Sequence, residues 1–298
     1  MLGQNYPILE KTWISDLNYT LKIQAPDLAR KAEPGQFVIL RLDEQGERFP
    51  LTLADWDAEQ GWIKLIIQKV GLSTTQLSEM EVGDAILDLV GPLGLPIEVK
   101  KYEGAVICVG GGVGIAPLYP KAKALHEAGN YIISILGARN QSLLMLEDEM
   151  SEVSDELFIT TDDGSKGCKG LVTEPVKTIL AGQTGAEVCS GSLNANRPDT
   201  TSLVIAIGPP IMMKFVTLTT KPFNVPTEVS LNPIMVDGTG MCGGCRVRIN
   251  GENKFACVDG PVFDGHAVDW DELIQRLGAY KDKEKQALDH ACKLGLGR

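Results

Sequence analysis

The stretch "GAVICVGGGVGIAPLYPKAKALHEAG" (104–129) constrains the fold of this chain more than any other. An apolar run reads as a buried strand, closely spaced glycines follow, and an amphipathic helix then runs to Gly129. Further apolar strands follow at "YIISILGARN", "LFITTDDG" and "SLVIAIGPP". Strands alternating with helices predict a parallel sheet covered on both faces. Before the last of them, residues 181–201 are polar and rich in Gly, Asn and Ser, and read as a surface loop or insertion.

Residues 6–98 follow a different pattern. "FVILRL", "WIKLIIQKV" and "AILDLVGPLG" are short β-rich runs separated by Gly, Pro and acidic turn residues, which predicts a small antiparallel barrel. After "KPFNVPTEVS" a third segment, rich in glycine and cysteine, closes at "ACVDGPVFDGHAVDWDEL", and a Lys/Glu-rich helix is expected from about 271. The expected class is therefore β plus α/β. Its parts are a barrel (1–98), a parallel-sheet domain (99–228), a small cysteine domain (229–270) and a C-terminal helix or tail (271–298).

With 298 residues, 44% of them hydrophobic, the chain has the apolar mass for more than one core. A net charge of -11 repels a phosphate backbone, so nucleic-acid binding is excluded as an expectation. "MLGQNYPILEK" lacks the basic start and apolar core of a signal peptide, and the most apolar stretch (105–120) is too short for a bilayer. A cytoplasmic protein with no membrane partner is expected. Of the seven cysteines, Cys108, Cys168, Cys189 and Cys292 are scattered, which argues for a reducing compartment rather than a disulfide scaffold. Cys242, Cys245 and Cys257 cluster.

In the glycine loop, Gly110, Gly112 and Gly114 are spaced G-x-G-x-G rather than G-x-G-x-x-G, and Pro117 falls early in the helix. Such a loop lets backbone N–H groups and the helix N-terminus approach a pyrophosphate; a plain tight turn is the competing reading. "GERFPLTLAD" and "LIIQKVGLSTTQL" would each be turn-and-strand sequence alone. Ser73 and Thr74, after Gly71, would open a short helix with hydroxyls and N–H groups for a phosphate.

Taken in order, R-x-P-L-T, G-x-S-T, "GPLGLP", "GGGVGIAPLYP", "TDDGSKGCKGLVT" and "IGPPIMM" resemble the ferredoxin–NADP reductase-like flavoproteins along nearly the entire chain. Within that family the cysteine segment resembles the electron-transfer subunit of dihydroorotate dehydrogenase B. "IGPPIMMKFV", "FACVDGPVFDGHAVDWDEL" and Asp237 are similar to the small subunits of NADH-dependent ferredoxin:NADP oxidoreductase and of the related sulfide dehydrogenase.

The resemblance implies FAD across the barrel. Arg48, Phe49, Pro50, Leu51 and Thr52 would meet the flavin and its linker, with Ile66, Ile67 and Gln68 alongside, and Gly71, Ser73 and Thr74 on the pyrophosphate. Arg48 stands four residues before Thr52, where the wider family has its arginine three before. NAD(H) would use Gly111, Gly112, Gly114, Ala116 and Pro117, bordered by loops 161–165 and 208–210 with Asp162, Asp163, Gly208 and Pro209. Ile207 replaces a cysteine that many relatives carry there. The two aspartates read equally as turn formers, and Arg139 equally as a ligand for a 2′-phosphate or a solvated side chain; the kinship favours NADH. No catalytic triad or acid–base pair stands out.

"MVDGTGMCGGCRVRIN" reads D-x4-C-x2-C, with Cys257 eleven residues beyond Cys245. The plant-type 2Fe-2S pattern is C-x4-C-x2-C with a distant fourth cysteine, so Asp237 occupies the slot of a missing thiolate. Zinc held by three cysteines and a carboxylate competes, but the asymmetric spacing and the flavin context favour iron–sulfur. In another reading Asp237 only makes a turn, and His266 or Cys292 is the fourth ligand. The resembling subunits carry aspartate at the same slot.

These parts imply a relay from NADH through FAD to the 2Fe-2S cluster. The partner implied is a larger subunit with a second FAD and 4Fe-4S clusters, coupling NADH, NADPH and ferredoxin by electron bifurcation. Sulfide chemistry, dihydroorotate oxidation and a standalone redox carrier or sensor remain as alternatives. Dihydroorotate-oxidising relatives carry cysteine at the slot of Asp237. The C-terminal "DELIQRLGAYKDKEKQALDHACK" reads equally as a partner-binding or a solvated helix.

Overall fold

A computed structural model of the chain describes residues 6–182 and 196–293, so most of the polar 181–201 segment lies outside the described residues. The described chain forms two compact units.

The first unit begins with strands β1 (Tyr6–Trp13) and β2 (Asn18–Gln24) and a one-turn helix α1 (Pro26–Ala29). Strands β3 (Phe37–Arg41), β4 (Phe49–Asp57) and β5 (Trp62–Gln68), helix α2 (Leu72–Glu79), and strands β6 (Ala85–Ile86) and β7 (Asp88–Leu93) follow. The sheet order is β6-β1-β2-β5-β4-β3-β7, and the pairs are antiparallel. β6 and β7 are consecutive in the chain yet lie at opposite edges, so the sheet has to curl on itself into a nearly closed barrel, as expected. Period-two patterning fills it: β2 turns Tyr19, Leu21 and Ile23 inward and leaves Thr20, Lys22 and Gln24 half-buried. Ile63, Leu65 and Ile67 of β5 join them, and α2 adds Leu77.

The second unit is the expected parallel sheet. It contains β8 (Ala105–Gly111), α3 (Ile115–Glu127), β9 (Ile132–Ala138), α4 (Glu147–Glu152), β10 (Glu156–Thr161) and β11 (Cys168–Lys169). It continues with α5 (Thr173–Leu180), β12 (Thr201–Ile207), α6 (Pro210–Thr220) and β13 (Thr227–Ser230). The chain next supplies the first unit with the hairpin β14 (Arg246–Ile249) and β15 (Glu252–Phe255), then the second with β16 (Val262–Asp264). The sheet order is β11-β10-β9-β8-β12-β13-β16, parallel except for β16. Progression reverses between β8 and β12, which opens a crevice at the carboxyl ends of these two strands.

Where one C-terminal helix was expected there are two, α7 (Trp270–Leu277) and α8 (Lys281–Lys293). The break falls at Gly278, whose N–H donates to the Ile274 and Gln275 carbonyls and closes the first helix. Cys108 is a free, buried thiol, whereas Cys168 is disulfide-bonded, so the scattered cysteines are not all unpaired. Among the described residues no helix is long and apolar enough to cross a membrane.

Lys121 of α3 is 1% exposed and its Nζ has no hydrogen-bond partner. Cys108, Ile205 and Glu228 share one row across β8, β12 and β13. Burial lowers the Lys121 pKa to about 8, a shift that Glu228 partly offsets. A depressed ammonium weakens the fold while it is charged. Between pH 8 and the 10.5 of free lysine the unfolded chain holds more protons, so stability rises with pH. Burial pushes the Cys108 thiol up to about 12, which acts in the opposite sense above its ordinary 9.0. The clean window for Lys121 is therefore pH 8 to 9. Urea midpoints should rise across that window in the native chain relative to Lys121→Met; parallel curves for the two proteins would refute the assignment.

Candidate functional site

Three regions carry the residues singled out in the sequence. In the barrel, Phe49, Pro50, Leu51 and Thr52 open β4 half-buried, paired with Leu40, Ile39, Val38 and Phe37 of β3, and Arg48 is exposed just before them. Leu53 pairs with Leu65, so the start of β4 and the end of β5, with Ile66, Ile67 and Gln68, lie at one end of the barrel. Ile67 is packed in the core and can offer a ligand only its backbone.

Gly71 precedes α2. The Thr74 hydroxyl accepts from the Val70 and Gly71 N–H groups at 3.1 and 3.0 Å and donates to the Gly71 carbonyl. That hydroxyl therefore folds the turn, and the helix N–H groups are what remains for an anion. Ser73 Oγ donates to Glu47 Oε2 at 3.3 Å. Tyr19, fully buried, donates its hydroxyl to the Thr74 carbonyl at 2.9 Å and fastens the start of α2 to the barrel.

At the sheet crevice, β8 runs into a single turn of 3-10 helix (Gly112–Gly114) and then α3, with Ala116 buried and Pro117 in its first turn. A Cβ on Gly114 would lie 2.4 Å from the Ile207 carbonyl oxygen and 2.6 Å from the Gly208 Cα. The loop after β8 thus packs backbone-to-backbone on the Ile207–Gly208–Pro209 turn after β12. Two strands away, the Asp163 carboxylate accepts from Ser165 Oγ at 2.6 Å and from its N–H at 2.9 Å. These Ser165 donors, hydroxyl first, hold the Asp163 carboxyl below its ordinary range. The Asp163 carboxylate thus ties this turn together. Asp162 donates its N–H to the Ala138 carbonyl, and the Arg139 carbonyl accepts from the Asp163 N–H. Gly114→Ala should destabilise the chain by about 1–3 kcal/mol through overpacking, as read from urea unfolding. An unchanged midpoint would show that the two loops part freely.

The third region belongs to the barrel unit. Asp237 Oδ1 accepts from the Thr239 N–H and Oδ2 from the Cys242 N–H, each at 3.0 Å. The Thr239 N–H leads the causes that hold the Asp237 carboxyl below its ordinary range. Cys242 is exposed, and the Gly244 N–H points at its sulfur at 3.4 Å. The β14–β15 hairpin brings Cys245 and Cys257 together with sulfurs 3.1 Å apart, well beyond the roughly 2.05 Å of a disulfide. Burial and the Cys245 thiol push Cys257 up to about 12.

Among the described residues no group of three or more His, Cys, Asp or Glu side chains is gathered for a metal ion. The hairpin unites two thiols, while Cys242 and Asp237 are tied to the loop in front. The donor set nonetheless suits an iron–sulfur cluster. It has two thiols before the β14–β15 hairpin and a third just after it, an N–H directed at sulfur, and a carboxylate whose oxygens keep acceptor capacity beyond the N–H bonds they receive. His266 bonds Thr220 Oγ1 at 3.0 Å in the other unit. The Cys292 side chain lies outside the described residues.

Two supports had no signal in the sequence. Gly238 has φ +76°, and a Cβ there would meet Leu93 Cδ1 at 2.6 Å and Ile39 Cδ1 at 2.7 Å. The loop backbone therefore lies directly on β3 and β7. Arg276 of α7 donates to the Gly244 carbonyl at 3.2 Å, reaching back 32 residues to hold the turn between Cys242 and Cys245.

A barrel followed by a switched parallel sheet is the fold of ferredoxin reductases. The ferredoxin NADP+ reductase from Neisseria gonorrhoeae is 15% identical with TM-score 0.57, covering 76% of this chain and 98% of its own. The iron-sulfur cluster binding domain of dihydroorotate dehydrogenase B matches residues 232–269. A Thermotoga maritima protein described as a dihydroorotate dehydrogenase B (NAD(+)) electron transfer subunit homolog is 49% identical over 96% of this chain and 95% of its own. The structure of an NADH-dependent reduced ferredoxin-NADP oxidoreductase, described for flavin-based electron bifurcation, includes a chain 48% identical to this one. Its TM-score is 0.85, over 97% of this chain and 99% of its own. The present chain belongs to the family of dihydroorotate dehydrogenase B electron transfer subunits and their homologues.

Proposed function

We propose that this chain is the electron-transfer subunit of a cytoplasmic, electron-bifurcating NADH-dependent ferredoxin:NADP oxidoreductase. Its partner is a larger subunit with a second flavin and 4Fe-4S clusters, and ferredoxin is engaged through the complex. FAD belongs to residues 1–98, NAD(H) to 99–228 and a 2Fe-2S cluster to 229–270, with 271–298 as a tail. The likeness to the bifurcating oxidoreductase, at 48% identity over 97% of this chain, favours that system. The dihydroorotate reading rests on relatives such as the Thermotoga maritima electron transfer subunit homolog, 49% identical, and the Desulforamulus reducens electron transfer subunit, 31% identical. Copurification of the larger chain, and the cofactors that it carries, decides between the two.

The observation that carries the proposal is the contact of Gly238 with Ile39. Ile39 pairs with Pro50, so the loop bearing the cysteines lies one strand from the β4 segment assigned to the flavin. Neighbouring strands are about 4.8 Å apart, which makes a short electron path. When bound, these groups supply hydride exchange at the nicotinamide, conversion between electron pairs and single electrons at the flavin, and single-electron transfer at the cluster.

The chain's own residues bind and orient. Residues 48–52 and 66–68 border the flavin, and the N–H groups after Gly71, with Ser73 and Thr74, face its pyrophosphate. Gly111, Gly112, Gly114, Ala116 and Pro117 receive the dinucleotide, bordered by Asp162, Asp163, Gly208 and Pro209. Asp237, Cys242, Cys245 and Cys257 hold the cluster. A carboxylate is a harder ligand than a thiolate, so the potential differs from that of an all-cysteine site. Asp237→Cys should keep the cluster with an altered EPR signature and potential, whereas Asp237→Ala should lose iron. If Asp237→Ala keeps iron content and spectrum unchanged, Asp237 is a turn residue only.

A further inference from the structure

Lys121 is the seventh residue of α3, buried, and its Nζ has no hydrogen-bond partner. A leucine would fill such a place without the penalty of burying an ammonium, which weakens the fold while it is charged. Neighbouring groups act on it only at a distance: Glu228 of β13 and the Cys108 thiol of β8. Burial raises the Glu228 carboxyl, against the pull of Lys121 and Lys100 and with Glu98 and Asp264. Burial also keeps the Cys108 thiol protonated up to about 12. The strands β9 and β12, which also pack on α3, carry no titratable side chain. Helix α4 turns Met150 inward, and its Glu147 is paired with Lys166 at 2.6 Å.

The place of this charge in the fold gives it a use. Helix α3 opens at the Gly112–Gly114 turn, and helical side chains lean toward the N-terminus of their helix. Along the axis, Lys121 lies about 9 Å from Ile115, at about 1.5 Å per residue. Cys108, within its field, stands two residues before Gly110 on the strand that feeds the same loop. Between them the interior is apolar, with Val109, Ile115 and Leu118 fully buried, so salt screens the field little. A unit charge about 10 Å away, at an effective dielectric of about 20, alters the binding of one anionic charge on the order of tenfold.

We infer that Lys121 is a buried cation that strengthens binding of a dinucleotide's diphosphate at the Gly110–Gly114 loop, through its field rather than by contact. The inference rests on the assignment of NAD(H) to residues 99–228, and the experiment separates the two. Full-length chain carrying its flavin and cluster is titrated by calorimetry with ADP-ribose, which keeps the diphosphate and cannot transfer hydride. Native chain and Lys121→Met are compared at pH 7 and pH 9. At pH 7 the native chain should bind about fivefold more tightly than the variant. Burial lowers the Lys121 pKa to about 8, and an anion favours the charged form, so affinity falls as pH rises through that value. Native chain should therefore weaken about threefold between pH 7 and pH 9, while Lys121→Met stays constant. Lys121→Leu should repeat the result in a side chain of different shape, and retained flavin absorbance shows that each variant is folded. Equal affinities at pH 7, or the same pH dependence in native chain and variants, overturn the role of Lys121. Native chain that binds no ADP-ribose at either pH overturns the NAD(H) assignment itself.

Discussion

The Gly238 backbone rests on Ile39 and Leu93, and the seating of the 232–261 segment on the barrel depends on that contact. A side chain there would have to pass through both residues, so the loop could not lie flat on β3 and β7. The Leu95 N–H donates to the Gly260 carbonyl at 2.7 Å on the same side and repeats the attachment at the far end of the segment. Residues 232–261 are thereby part of the barrel unit although more than 130 residues of the other unit intervene in the chain.

Both units build tight turns at the strand ends from backbone contacts. At the start of α2 the Thr74 hydroxyl is spent on the turn, and at the β8–α3 loop the glycines allow peptide groups to meet. Side chains act chiefly as fasteners: Tyr19 holds α2 from below, and Arg276 holds the Gly244 carbonyl. Lys121 is the exception, a buried ammonium without a hydrogen bond under the helix that opens at the glycine loop.

Much of this was legible in the sequence because it lies in local periodicity. The alternation of β2, the apolar run of β8 and the spacing of Asp237, Cys242 and Cys245 need no knowledge of distant residues. The second C-terminal helix was missed because Gly278 sits inside a continuous helical composition. Asp163 reads from the sequence as turn former or cofactor contact, and in the structure its carboxylate accepts from the Ser165 hydroxyl within the turn.

By itself the sequence determined the two fold types and their order, since short-range pattern is written along the chain. Only the tertiary structure decided that the cysteine segment packs with the barrel, that Arg276 braces its turn, and that the Tyr19 hydroxyl holds the start of α2. Each of these joins residues far apart in sequence through van der Waals contact or a hydrogen bond. Such contacts depend on where the folded strands bring them, and no local pattern encodes that.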